Sequence, residues 1–143
     1  MKTKHTARRC QESLLLQVVK PFPMQVWTVA LYDPRTDPWS VWLLARGGLS
    51  NGPASRLSAG CYRTIARDLL AAGLFEPVGC REQVAIEPAT VGDAVRIAHG
   101  PTIAHMRANR LGSFLSRTYA LVEPGTESAW VNPDEQVGAL LAA

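Results

Sequence analysis

Charge is scarce in this 143-residue chain: 19% of its residues are charged, whereas 47% are hydrophobic. An average soluble domain is about 25% charged, so material for a buried core is ample and wholesale disorder is excluded. The length also argues against two full domains, because domains average about 150 residues. A single domain over 1–143 is expected. Long hydrophobic runs are missing: the longest, such as 69–75, fall far below the roughly 20 residues that cross a bilayer. No membrane partner is expected. Cysteine is sparse, and Cys10, Cys61 and Cys80 are odd in number and widely spaced, which speaks against a disulfide framework or a cysteine zinc site.

The signatures of catalysis are missing as well. His99 and His105 lack the i, i+4 spacing of a helical metal pair, and no carboxylate ligand accompanies them. No serine lies in a G-x-S-x-G frame, and the glycines form no phosphate loop. A non-enzyme with no metal and no cofactor is therefore expected.

What is present is a modest basic excess, 15 lysines and arginines against 12 acids, unevenly distributed. Residues 1–20 hold five bases and one acid, whereas 118–143 hold four acids and no base. That polarity favours an anionic partner near the front or middle of the chain, or a head-to-tail contact between copies; a solvated surface accounts for it equally well. The basic start followed by 14–19 looks like the front of a secretion signal, but Gln17 interrupts the apolar run, Lys20 closes it, and no small-residue cleavage site follows. The expectation is a cytoplasmic protein.

Along the chain, 1–23 reads as a basic N-terminal arm or first helix, with leucines and valines over 8–19 on one helical face and Pro21-Phe22-Pro23 as its break. Residues 24–32 suit a strand by propensity and a buried helix by length. After the turn at 33–38, Asp37-Pro38 fits the start of a helix over 39–46; the competing arrangement pairs 24–32 with 39–45 as a hairpin. Tyr62, Ile65, Leu69 and Leu70 fall at helical spacing, and Gly73 supplies left-handed freedom at the helix end. Two short strands, 74–77 and 83–86, follow as a hairpin. Thr90 caps a helix over 91–98, and an apolar stripe from Ile103 to Tyr119 gives the longest helix. Asn132-Pro133 opens a last short one, so that 101–143 forms a set of C-terminal helices.

Leu57 to Pro77, with Ser58 opening a helix, Tyr62, Ile65 and Leu69 on its inner face and Gly73-Leu74 turning into a strand, resembles the second half of a winged helix-turn-helix domain of the small bacterial MarR- or ArsR-type regulators. Glu87 to Val95 resembles the turn and helix after the second wing strand, so the resemblance spans about 37–98. It implies an α+β, mostly helical fold: a winged helix-turn-helix-like core, a small β-hairpin wing at 74–86, and flanking N- and C-terminal helices. It also implies a transcriptional regulator whose recognition helix, about 58–72, enters the major groove of double-stranded DNA. Ser58, Tyr62, Arg63 and Arg67 would face the bases and backbone, and Arg81 and Gln83 would meet phosphates or the minor groove. A homodimer fits a palindromic site.

The alternative is a non-enzymatic interaction or inhibitor protein that meets a protein partner through its tryptophan-rich region or its basic arm. A small ligand-binding protein or enzyme with a tryptophan-lined pocket is a third reading. Trp27, Trp39 and Trp42 cluster around the 33–38 turn, and Trp130 lies apart; such residues line pockets or docking patches, though more often cores. The regulator requires Arg63, Arg67 and Arg81 on one exposed face. The interaction protein requires an exposed apolar patch and no common basic face.

Overall fold

Period-two alternation, not helical periodicity, governs most of the regular structure among the described residues. The structure is a computed structural model that describes residues 9–45, 61–90 and 92–131. Strand β1 (Cys10–Lys20) turns Cys10, Leu14, Leu16 and Val18 inward, and β2 (Met24–Tyr32) buries Val26, Thr28, Ala30 and Tyr32. The two pair antiparallel across the Pro21-Phe22-Pro23 turn, from Val18 opposite Met24 to Cys10 opposite Tyr32. The helix expected over 8–19 is thus a strand. Its leucines line both faces of the sheet, and a strand with two apolar faces imitates a helical stripe.

Strand β3 (Ser40–Ala45) pairs with β2, placing Leu31 opposite Trp42 and Val29 opposite Leu44. The hairpin reading of 24–45 is therefore correct and the helix over 39–46 is not. Asp37 caps a turn instead of a helix: its Oδ1 accepts the Trp39 N–H at 3.0 Å, as Asp33 Oδ1 accepts that of Arg35 at 3.1 Å. Strand β4 (Cys61–Ala66) then runs into helix α1 (Arg67–Gly73). Beyond them come β5 (Val78–Cys80), β6 (Val84–Pro88), β7 (Ala94–His99), β8 (Thr102–Arg107), helix α2 (Ala108–Leu121) and a single 3₁₀ turn (Glu127–Trp130).

All eight strands form one antiparallel sheet in the order β4-β3-β2-β1-β8-β7-β6-β5. The sheet curls, since Leu16, Leu43 and Ile65 from one half and Ile97 and Ala104 from the other line a common recess. Both helices cover its inner face: Leu70 of α1 and Leu111, Phe114 and Leu115 of α2 join Leu14, Val41, Ile86, Val95 and Met106 in one core cluster. The mostly helical winged helix-turn-helix fold is overturned. Such a core needs three helices, and the described residues of 37–98 hold only α1, seven residues long. Half of the described part of the expected recognition helix is strand β4, the helix expected over 91–98 gives way to strand β7, and the long C-terminal helix begins only after β8. The expected helix after Asn132 lies outside the described residues.

Two packing details fix α1. Gly73 is helical and buried, and a Cβ there would run into Cβ and Cγ2 of Ile86, itself fully buried. The glycine is required for close approach to β6, not for a left-handed turn. At the other end of the helix, Arg67 is 0% exposed. Its Nη1 donates to the Thr118 carbonyl at 2.9 Å, and its Nη2 donates to the Val122 carbonyl at 2.8 Å and to Glu127 Oε2 at 3.0 Å. The guanidinium also lies 5.0 Å and 4.2 Å from the ring centroids of Tyr32 and Tyr119. Burial pushes the Tyr32 hydroxyl up to about 12 and raises that of Tyr119, which also donates to Asp68. Both rings therefore face the cation as neutral phenols.

Gly73→Ala is expected to destabilise the protein by about 1–3 kcal/mol through overpacking, although alanine is the better helix former. Ile86→Val in the same chain, which keeps Cβ and both γ carbons, should recover none of the loss, and urea denaturation checks both. Glu127→Gln should cost about 3–5 kcal/mol by leaving Arg67 without its counter-charge. The Arg67 hydrogen bond holds the Glu127 carboxyl below its ordinary value of 4.5. The unfolded chain therefore protonates first as pH falls. The stabilisation from the pair is complete above that ordinary value and is lost as pH drops through the depressed one. Urea midpoints measured against pH should fall in the acid range for the wild type and less steeply for Glu127→Gln.

Candidate functional site

The helices leave the outer face of the sheet uncovered among the described residues. By alternation that face carries Leu15, Trp27, Val29, Leu31, Trp42 and Leu44 on β1–β3, in cross-strand pairs Leu15–Trp27, Val29–Leu44 and Leu31–Trp42. All are half-buried except Trp27, which is 52% exposed. Rows of this kind are an ordinary core face when another layer covers them, and no described element does so here.

Beside Trp27 the sheet splits. β1 pairs with β8 only from Gln17 opposite His105 to Lys20 opposite Ile103, with an irregularity after Val18. Toward its N-terminal end β1 parts from β8, and the opening is a groove of about 530 Å³. Ser13, Leu15, Gln17 and Trp27 form one wall, and Asp93, Ala94, His105, Arg107 and Arg110 form the other. Helix α2 is tied to the β1 side of the split. Arg110 donates to the Ser13 carbonyl at 3.0 Å and to Glu12 at 2.9 Å, and Arg117 donates to the same carboxylate at 2.5 Å. Asp93 anchors the start of that helix, its carboxylate accepting the Asn109 N–H at 3.2 Å and its carbonyl the Ala108 N–H at 3.0 Å.

The residues expected to face DNA are distributed differently from the sequence reading. Ser58 lies outside the described residues, and Tyr62 is on β4 with its side chain outside them. Arg63 is half-buried on β4, beside His99 and Thr102 at the turn between β7 and β8. Arg81 reaches that turn from the β5–β6 hairpin, donating to the Gly100 carbonyl at 2.8 Å, and Gln83 is exposed on the same hairpin. Arg67 is in the core, so the three arginines share no exposed face. Sequence reasoning missed Leu15, Arg107 and Arg110 altogether. It singled out Trp27 but could not place it, because the split that exposes it joins residues 88 apart, Gln17 and His105.

Chemically the site suits binding. Among the described residues no group of three histidine, cysteine or acidic side chains could hold a metal ion, and no helix there is long and apolar enough to cross a membrane. Burial raises the Cys10 thiol above its ordinary value, which keeps it protonated. The ion pairs of Glu12 with Arg110 and Arg117 are half-exposed on the arginine side. Glu12→Gln should consequently cost no more than about 1 kcal/mol in urea denaturation, far less than Glu127→Gln.

Comparison with known proteins overturns both the winged-helix resemblance and the regulator reading. The family described as "Streptomyces sporulation and cell division protein, SsgA" matches residues 26–127. The sporulation-specific cell division protein SsgB of Saccharopolyspora erythraea is 36% identical over 116 residues, covering 77% of this chain and 74% of that one. SsgB of Salinispora tropica is 34% identical over the same length, covering 78% and 76%. Among solved structures, one described as linking mutations in SsgB to longitudinal cell division during sporulation of Streptomyces coelicolor superposes with a TM-score of 0.69 at 30% identity, over 85% of this chain and 94% of that one. The SsgA-like protein of Thermobifida fusca, at 24% identity and a TM-score of 0.71 over 92% and 94% of the two chains, shares the fold. DNA-binding and transcription regulation are thereby replaced as the reading of this chain, and double-stranded DNA as its partner. The chain belongs to the SsgA family of sporulation and cell division proteins.

Proposed function

We propose that this protein acts in cell division during sporulation, as its relatives are named to do, and that it does so without catalysis, by holding a protein partner on the outer face of its sheet. The observation that carries the reading is Trp27, 52% exposed on a sheet face that no described element covers. Tryptophan combines a large apolar area with few rotatable bonds, and exposed tryptophans on such faces dominate the energetics of protein association. The paired row of Leu15, Val29, Leu31, Trp42 and Leu44 extends the apolar surface around it. The cytoplasmic location expected from the sequence is part of the same proposal.

Replacement of the chromosomal gene by a Trp27→Lys variant in its host tests the reading. Sporulating cells should lose most of their division septa while the purified variant keeps the wild-type circular dichroism spectrum and unfolds cooperatively. Normal septation by a folded Trp27→Lys protein would overturn the role of this face.

A further inference from the structure

We propose that the groove between β1 and β8 seats an extended segment of a partner protein that carries a carboxylate next to apolar side chains. The inference rests on the protein-binding reading above and gives that partner a chemistry.

The two walls differ in kind. Leu15 and Trp27 offer apolar surface on one side, whereas Arg107 and Arg110 make the other basic. The basic wall is under-neutralised from within the described chain. One carboxylate, Glu12, serves both Arg110 and Arg117. Asp93 is the remaining acid of the groove, and its carboxylate is committed to the Asn109 N–H at the start of α2. Exposed Arg107 has no ion-pair partner among the described residues. A carboxylate entering beside Arg107 meets a guanidinium whose geometry matches it.

The backbone supplies the second half of the fit. The carbonyls of Gln11 and Ser13 point away from β2, where Arg117 and Arg110 donate to them. Strand alternation turns the backbone groups of Leu15 to that same edge, and pairing with β8 begins only at Gln17. A short extended segment can bond this stretch of edge while its alternate side chains meet Trp27 on one side and Arg107 on the other. A nucleic acid is less well served, because the apolar wall offers its phosphates nothing.

The test uses the full ¹⁵N-labelled chain and the peptide acetyl-Leu-Asp-Leu-Glu-Leu-amide, followed by amide and indole chemical shifts. The acidic peptide should move the Trp27 indole N–H and the amides of Leu15 and Arg107. Arg107→Gln should weaken binding about fivefold, and raised salt should weaken it further. No shift at millimolar peptide, shifts elsewhere on the protein, or equal shifts with the Asn/Gln counterpart would overturn the proposal. So would stronger shifts of the same resonances by a short single-stranded oligonucleotide. Loss of septation by Trp27→Lys together with a groove that ignores the peptide would retain the docking face and reject only this partner chemistry. Normal septation together with peptide binding would reject the cellular role and leave the groove chemistry standing.

Discussion

A charge with no exposure to water sets the constraint on which the rest of the fold depends. Arg67 stands where β4 becomes α1, and once buried its guanidinium must be answered by acceptors fixed around it. The acceptors are the carbonyls of Thr118 and Val122 at the end of α2 and the Glu127 carboxylate in the turn beyond. Tyr32 contributes a ring face from β2 and anchors its own hydroxyl on the Pro38 carbonyl at 2.7 Å. One side chain thereby specifies the relative placement of the β4–α1 corner, the last helix and the first hairpin. Its Nε alone is left without a partner, so the cluster gives position as much as stability.

The position of α2 in turn determines the groove. Anchored at its far end on Arg67 and at its near end on Asp93, the helix presents Arg110 and Arg117 to the free edge of β1. These arginines take up the Ser13 and Gln11 carbonyls, which strand pairing with β8 would otherwise satisfy, and so ease the parting of the sheet there. The exposed Trp27 and the basic wall opposite it follow from that parting.

Much of this architecture was legible locally and little of it globally. Val26, Trp27, Thr28 and Val29 supported strand β2 by propensity without excluding a buried helix, whereas the β2–β3 turn was marked by its aspartates and prolines and the end of α1 by Gly73. β1 was misread because Leu14, Leu15 and Leu16 serve two faces. The stretch from Tyr62 to Leu70 was misread because apolar spacing of three and four residues happens to continue across a strand-to-helix junction at Ala66. Arg67 and Arg63 looked alike in sequence as basic residues on a helix. Their difference in burial arises from partners 51 to 60 positions away, Thr118 to Glu127, which no local pattern encodes. The groove shares that limitation, while the alternative of a docking protein was available from the tryptophans alone.

The strand order β4-β3-β2-β1-β8-β7-β6-β5 describes two meanders, each built of neighbours in sequence, that meet along one seam. Within each meander most partners are joined by short turns and can form early, at small loop-closure cost. The seam is different. It joins Gln17 to His105 through three residue pairs and an irregularity, so it closes across most of the chain length for few backbone bonds. The domain is thus two hairpin sheets joined along a narrow seam, with α2 bonded to the β1 edge beside it.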